Sequence, residues 1–336
     1  MDIAFLSADF LGKPAWMWLA FVAVVIALLI FDLGILHRES REIGVTESLV
    51  MSAVYISLGL TFGGWVWWYL GAEPGMAYLT GFAVEKALAM DNVFVIAMIF
   101  AYFSVPRLYQ HRVLFWGILG VIVLRAIMIG LGATIVAQAS WVLYVFAVFL
   151  IVTGVKMMIF ADQNFDVGAN PVLGWVRRYG NVTDQLHGER FLVRLPDKAG
   201  RLRWFMTPLF LALVLIEIAD LIFAVDSVPA IFAITTDPFV VYTSNIFAIL
   251  GLRSLYFALA AMVDRFHYLK FALAAVLIFI GSKVFIADLF GVDKVPPSLA
   301  LGVTFGLLAL GVLYSLWKTR SGAGPDHIAE NRSAKS

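Results

Sequence analysis

The fold is decided by one apolar run that carries three carboxylates and a proline, Ile216-Glu217-Ile218-Ala219-Asp220-Leu221-Ile222-Phe223-Ala224-Val225-Asp226-Ser227-Val228-Pro229. The run lies within a segment long enough to cross a bilayer, which takes about 20 apolar residues. One ionised Asp at the centre of a membrane costs roughly 2.5 to 3.5 kcal/mol even on the lenient insertion scales. These acids therefore need partners, a wet cavity or a bound cation, and we interpret them as a functional site.

The composition is that of a polytopic membrane protein. Of the 336 residues, 62% are hydrophobic and only 14% are charged, whereas charged residues make up about a quarter of a soluble domain. The chain has no cysteine, which excludes disulfides, thiolate metal sites and cysteine-based redox chemistry. The formal net charge of +1 says little about partners. We expect the lipid bilayer and no nucleic acid among them.

Apolar runs of about 20 residues predict an all-α bundle of nine transmembrane helices. They are residues 16–36, 49–70, 76–103, 113–133, 141–160, 205–232, 239–263, 269–289 and 298–317. The segments that connect them on one side carry most of the lysines and arginines, and the other side has only Lys13 and Lys294. By the positive-inside rule, the N-terminus is outside and the C-terminus is cytoplasmic.

We expect one transporter domain over residues 1–317, a basic cytoplasmic loop over 161–204 and a disordered cytoplasmic tail over 318–336. Within the loop, Phe191-Leu192-Val193-Arg194-Leu195 and Arg201-Leu202-Arg203-Trp204 indicate a small hairpin. The basic surface suits anionic lipid, and soluble protein partners are the other candidates.

The polar residues reveal an internal repeat. Helix three reads Glu85-Lys86-Ala87-Leu88-Ala89-Met90-Asp91-Asn92, and helix six reads Asp220-Leu221-Ile222-Phe223-Ala224-Val225-Asp226-Ser227. Helices four and seven each carry a deep arginine, Arg125 and Arg253. Each unit has three helices, an odd number, so the two units must enter the membrane from opposite sides. Residues 76–160 and 205–289 are therefore predicted to form an inverted repeat. That plan is typical of secondary transporters.

The repeated acids predict a site shared between the two repeats. Six residues separate Glu85 from Asp91 and Asp220 from Asp226, which is about 9 Å and about 240° on an ideal helix. The two acids of one helix therefore do not share a face. Pro229 removes the helical donor of the Val225 carbonyl, so we expect helix six to break there and to offer that carbonyl to a cation.

We therefore expect a divalent cation site built from oxygen ligands. The predicted ligands are Glu85, Asp91, Asn92, Glu217, Asp220, Asp226 and Ser227, and the supporting residues are Lys86, Arg125, Arg253, Asn245 and Val225. Glu217 has no counterpart in helix three, and we expect it to capture or release the ion on the cytoplasmic side. An oxygen-rich set favours Mn²⁺, Mg²⁺ or Ca²⁺ over Zn²⁺ or Cu⁺. The alternative is that buried acids and bases only neutralise one another and fix the helix register.

The runs at residues 85–94, 226–239 and 243–253 resemble the TerC family of bacterial membrane proteins, and within it the Alx branch. The resemblance covers roughly residues 16–317. It implies a bacterial inner-membrane protein related to cation exporters of the lysine-exporter superfamily, with links to Mn²⁺ export and, by the family name, to tellurium resistance. A redox-modulator role is also attached to the Alx branch.

The leading interpretation is a secondary transporter, not an enzyme, that exports Mn²⁺ and holds no permanent cofactor. Export is coupled to protons or to the membrane potential, since desolvated carboxylates can take up a proton when the metal leaves. The alternative is a sensor, scaffold or redox modulator for metal, pH or tellurite stress that acts through soluble partners. An intramembrane aspartyl hydrolase is disfavoured, because the Gly-x-Gly-Asp and Tyr-Asp pairings are absent from the sequence.

Deleting residues 191–203 distinguishes a transporter from a sensor that works through the loop. The predicted site lies within the bundle, so the deletion should leave relief of manganese toxicity intact. Growth of cells in toxic Mn²⁺ measures this, and the amount of protein in the membrane fraction is the control. Loss of the phenotype with the shortened protein still in the membrane contradicts the transporter interpretation.

Overall fold

The computed structural model describes residues 6–34, 44–159, 171–196, 200–259, 269–289 and 295–321. In these ranges the helices are α1 (Ala15–Gly34), α2 (Val45–Leu70), α3 (Ala72–Tyr102), α4 (Arg107–Gln138), α5 (Val142–Ile159), α6 (Pro171–Tyr179), α7 (Pro208–Ile234), α8 (Pro238–Leu250), α9 (Leu252–Leu259), α10 (Leu269–Leu289) and α11 (Pro297–Ser321). Two antiparallel hairpins pair β1 (Asp9–Phe10) with β2 (Lys13–Pro14) and β3 (Leu192–Pro196) with β4 (Leu202–Met206).

The described chain is a polytopic helical membrane protein with six or seven candidate spans. The six helices that are long and apolar enough are α2, α4, α5, α7, α10 and α11. The pair α8 and α9, bent by 41°, is the seventh candidate. Among the described residues α1 is apolar over Ala15–Phe31 but shorter, and α3 carries Glu85, Lys86 and Asp91 in its middle. The count of nine spans stays a prediction.

Several predicted boundaries are corrected. The β3–β4 hairpin is confirmed, but Phe205 pairs with Val193 as part of β4, so the next helix begins at Pro208 instead of residue 205. Proline is well suited to that first helical position, where its missing N–H is not needed. Helix α11 runs four residues into the predicted tail, and residues 322–336 lie outside the described part of the chain. The β1–β2 hairpin was not predicted.

The N-terminal hairpin is attached to the start of α8. Asp237 caps this helix, because its Oδ1 accepts hydrogen bonds from the backbone N–H of Phe239 at 3.0 Å and of Val240 at 3.4 Å. Its other oxygen, Oδ2, lies 2.9 Å from the Nζ of Lys13 in β2. One carboxylate thus holds both the helix terminus and the hairpin.

Helices α5 and α10 touch through a reciprocal pair of glycines. A β-carbon added to Gly154 would lie 2.7 Å from the Ala274 carbonyl oxygen and 2.7 Å from Ile278 Cγ1. One added to Gly281 would lie 2.6 Å from the Ala147 carbonyl oxygen and 2.9 Å from Ile151. Each glycine therefore contacts the residues seven and three positions before the other. Small residues of this kind let membrane helices approach closely.

We expect Gly281→Ala to destabilise the protein by about 1 to 3 kcal/mol, because the added methyl group pushes against the backbone of α5. The measurement is thermal unfolding of the purified protein in detergent. The control is Gly302→Ala in α11, where no described atom beyond the nearby backbone of α11 lies within 4 Å of the added carbon. Alanine is the better helix former, so the control should be neutral or stabilising, and equal losses in the two variants would contradict this packing.

Candidate functional site

A group of buried charged side chains lies where α3, α4 and α7 meet. Arg125 of α4 is 1% exposed, Glu85 of α3 is 3% exposed and Asp220 of α7 is 5% exposed. Charged groups at this depth are tolerated only when they are paired and hydrogen-bonded. With Asn92, Ser227 and Asn245 they form what we call the central cluster.

The guanidinium of Arg125 joins the members of the central cluster. Its Nε donates to Asp220 Oδ2 at 3.1 Å and its Nη2 donates to Asp220 Oδ1 at 3.0 Å, which makes a bidentate pair. Its Nη1 donates to Glu85 Oε1 and, at 2.7 Å, to Ser227 Oγ. A single cation therefore holds two carboxylates, one on α3 and one on α7. These two carboxylates occupy corresponding positions of the sequence repeat.

Two amides complete the central cluster. Asn245 Nδ2 donates to Glu85 Oε2 at 2.9 Å, and Asn92 Nδ2 makes a longer contact of 3.4 Å with Asp220 Oδ1. The carbonyl oxygens of both amides are buried and accept no hydrogen bond from the described residues. A buried acceptor without a partner costs about 1 to 3 kcal/mol. Both oxygens would therefore gain from a ligand that reaches them.

The sequence placed Lys86 at the metal site, but the structure gives it a different partner. Its Nζ donates to the carbonyl oxygen of Ala248 at 2.9 Å, in the last turn of α8. Carbonyls at the end of a helix lack helical donors and carry partial negative charge, so a cation is stabilising there. A β-carbon on Gly251 would lie 3.1 Å from this Nζ. The glycine that separates α8 from α9 therefore also leaves room for the ammonium group.

The broken helix is α8–α9 and not α7. Helix α7 continues through Pro229 to Ile234, so the expected break beside Val225 is wrong. Membrane helices tolerate an internal proline, and Val225 is 47% exposed. The available signal for the true break was Gly251, since a glycine inside an apolar run can mark an interruption.

Of the predicted ligands whose side chains the structure describes, Asp226 and Glu217 lie outside the central cluster. Asp226 is half-buried and faces α5, where Thr153 Oγ1 donates to its Oδ1 at 3.2 Å and Lys156 is close enough to attract its charge. On a continuous helix Asp226 lies about 240° around from Asp220, so α7 cannot bring both to one point.

The side chain of Asp91 lies outside the described residues, and Arg253 is buried on α9.

Glu217 lies one turn before Asp220 and fits against α4. A β-carbon on Gly120 would lie 2.7 Å from its Oε2, so the carboxylate occupies the space that the absent side chain leaves. This Oε2 is buried and has no hydrogen-bond partner in the described part of the chain. An apolar groove of about 560 Å³ runs beside it along α4 and α7. Glu217 is thus set apart from the central cluster but adjoins it.

A larger cavity, which we call the end cavity, opens at one end of the bundle. It has a volume of about 620 Å³ and is lined by the ends of α3, α7, α8, α10 and α11, with Asp237 and Lys283 among its polar residues. It reaches Thr80 on α3, five residues before Glu85. Five helical residues span about 7.5 Å. The end cavity therefore approaches the central cluster along α3.

The central cluster is a mixed set of oxygen ligands that contains two of the five predicted carboxylates, Glu85 and Asp220. Within the described residues, no three acidic, cysteine or histidine side chains are arranged to hold a metal ion. The oxygens that do meet are the carboxylates of Glu85 and Asp220, the hydroxyl of Ser227 and the amides of Asn92 and Asn245. Hard cations accept carboxylates and neutral oxygens together.

The comparisons with known proteins place this site within a family. A model described as "Integral membrane protein TerC family" matches residues 70–323. The chain belongs to the TerC family. It is 46% identical over 309 residues to "Uncharacterized membrane protein STKORF319" of Myxococcus xanthus, which covers 92% of this chain and 94% of that protein. It is 44% identical over 315 residues to "Putative membrane-bound redox modulator Alx" of Escherichia coli (strain K12), which covers 91% and 95% respectively.

No solved structure matches this TerC-family chain. The matched residues 70–323 include every member of the central cluster as well as Glu217 and Asp226. The family resemblance inferred from residues 85–94 and 226–239 is therefore confirmed.

We expect Asp220→Asn to destabilise the protein by about 2 to 3 kcal/mol, because a hydrogen bond to a charged group contributes about 1.5 to 3 kcal/mol and the amide turns a donor toward the guanidinium. Asp226→Asn is the matched comparison and should cost less, since Asp226 is half-buried and bonds to one hydroxyl. Thermal unfolding in detergent measures both variants. A larger loss from Asp226→Asn would contradict the assignment of the central cluster.

Proposed function

We propose that this TerC-family protein is a secondary transporter that exports a divalent metal ion, Mn²⁺ being the expected one, across the bacterial inner membrane. The observation that carries the proposal is the meeting of Glu85 and Asp220, which hold corresponding positions of the two repeats, around one buried positive charge. A structural ion pair needs only one acid and one base. Two acids with a hydroxyl and two amides are a set suited to a cation.

The reciprocal contact of Gly154 and Gly281 supports an inverted repeat, which is typical of secondary transporters. Two elements related by a twofold axis contact each other through the same residues in both directions. Helices α5 and α10 follow that pattern, because each glycine faces the residues that lie seven and three positions before the glycine of the other helix. Transporters with inverted repeats hold their substrate near the midplane, between the repeats. Nine spans with the N-terminus outside and the C-terminus cytoplasmic remain part of this proposal.

In that orientation, the end cavity is the exit route. It opens on the outer side and reaches Thr80, whereas Glu217 lies on the cytoplasmic side of Asp220, nearer to the start of α7 at Pro208. An ion that enters past Glu217 meets the central cluster and leaves through the end cavity. The bent helix α8–α9 contributes Asn245 to this route, and broken helices line the substrate path in many transporters.

Oxygen ligands and the absence of cysteine favour a hard ion such as Mn²⁺ over soft metals. No permanently bound cofactor is required, and protons are the candidate counter-ions. The printed name of the Escherichia coli relative makes redox modulation the second candidate. The exposed Trp175 and the stacked pair of Arg194 and Trp204, 4.6 Å apart, offer a cytoplasmic surface for soluble partners under that alternative.

Everted membrane vesicles that contain the protein should accumulate Mn²⁺ saturably under an imposed pH gradient. Glu85→Gln and Asp220→Asn should each lower the uptake at least about tenfold, as expected when one charged ligand worth more than about 1.4 kcal/mol is lost. The control is Asp184→Asn, on the exposed cytoplasmic loop. Full uptake by both site variants contradicts the site. Failure of the wild-type protein to accumulate Mn²⁺, Mg²⁺ or Ca²⁺ contradicts the function.

A further inference from the structure

The guanidinium of Arg125 occupies the position that a transported ion needs. Four of its N–H groups point at oxygens, two on Asp220 and one each on Glu85 and Ser227. The oxygens belong to α3 and α7, whereas Arg125 reaches them from α4. A hard divalent ion would use the same carboxylate and hydroxyl oxygens. The amides of Asn92 and Asn245 contact these two carboxylates through their nitrogens, and their buried oxygens accept no hydrogen bond from the described residues.

A divalent ion and this guanidinium cannot share the central cluster. Glu85 and Asp220 supply two negative charges, and the two cations together would bring three positive charges against them. Charges of one sign a few ångströms apart repel strongly in a core of low dielectric. The guanidinium of Arg125 must therefore leave its partners when an ion arrives, and it then needs another carboxylate, because a buried charge without a partner is strongly destabilising.

Glu217 is the carboxylate placed to receive the guanidinium. It lies one turn before Asp220, is inserted against Gly120 of α4 and has a buried Oε2 without a hydrogen-bond partner among the described residues. Side chains on a helix project toward its N-terminus, and Gly120 lies on the N-terminal side of Arg125. A movement from Asp220 to Glu217 follows this direction along the surface shared by α4 and α7.

We propose that Arg125 is a tethered substitute for the transported ion, which pairs with Glu85 and Asp220 in the empty carrier and moves to Glu217 when a divalent ion binds. The inference rests on the proposed function. It describes how the carboxylates of Glu85 and Asp220 keep a positively charged partner when no metal ion is bound. Glu217 is then a positioning residue that acts through Arg125 and is not itself a ligand. The empty carrier can change its orientation without exposing two unpaired carboxylates to the core.

The test is a double-mutant cycle on Mn²⁺ binding by the purified full-length protein, read from the electron paramagnetic resonance signal of free Mn²⁺. R125Q removes the competing cation and should bind Mn²⁺ at least tenfold more tightly than the wild-type protein. E217Q should weaken binding at least tenfold in the wild-type background and leave the affinity of R125Q unchanged. Such non-additivity shows that two residues act on one another.

The matched control is Arg112 near the start of the same helix, which forms an ion pair with Glu189 at 2.9 Å. R112Q should change the Mn²⁺ affinity less than threefold. If R125Q does not accumulate in the membrane, R125K takes its place, because an ammonium group cannot reproduce the bidentate pair with Asp220 and should yield more readily to Mn²⁺. The effect of E217Q on the Mn²⁺ affinity should then be smaller than in the wild-type background but not zero, since the ammonium group also needs a partner.

Weaker Mn²⁺ binding by the Arg125 variant than by the wild-type protein would overturn the proposal, since Arg125 would then be orienting the ligands. An E217Q effect of the same factor in both backgrounds would also overturn it, because Glu217 would be a ligand in its own right. Absence of Mn²⁺ binding from both the wild-type protein and the Arg125 variant would instead overturn the proposed function. Binding by the Arg125 variant alone supports mutual exclusion of the two cations.

Discussion

The burial of one guanidinium between two carboxylates sets the arrangement of the membrane bundle. Arg125, Glu85 and Asp220 come from three different helices, and each is almost fully buried. Breaking a buried ion pair by removing one partner costs about 3 to 5 kcal/mol. Helices α3, α4 and α7 are therefore held at the one register in which the guanidinium reaches both acids. Glycine at position 120, where α4 meets α7, leaves the space that the neighbouring Glu217 carboxylate occupies.

The same interaction links stability to the proposed function. A site with two acids and several neutral oxygens is stable only when it contains a positive charge, and in this structure the protein supplies that charge itself. The bent helix α8–α9 adds Asn245 to the central cluster, and Lys86 stabilises the end of α8 that the bend leaves without helical donors. The buried charges of the central cluster and the bend between α8 and α9 thus lie next to each other in the bundle.

Much of the architecture could be predicted from composition and pattern. Apolar runs located most of the helices because the bilayer fixes their length, and alternation with turn residues located the β3–β4 hairpin. The acids Glu85 and Asp220, the amides Asn92 and Asn245 and the hydroxyl of Ser227 were all identified as site residues, since polar groups in an apolar run need a reason to be there. The bend was misplaced, because Pro229 was a stronger signal than Gly251.

The sequence by itself determined that this is a membrane protein of the TerC family with acidic residues inside its spans, because hydropathy and motif are properties of the chain alone. Only the tertiary structure decided which acids meet. The repeat makes Asp226 and Asp91 equivalent, but it does not say which face of α7 turns toward α4. Because the two residues lie on different faces of a continuous helix, Asp226 contacts Thr153 and Asp220 contacts Arg125. Partner choice depends on three helices packing together, and no local pattern contains that information.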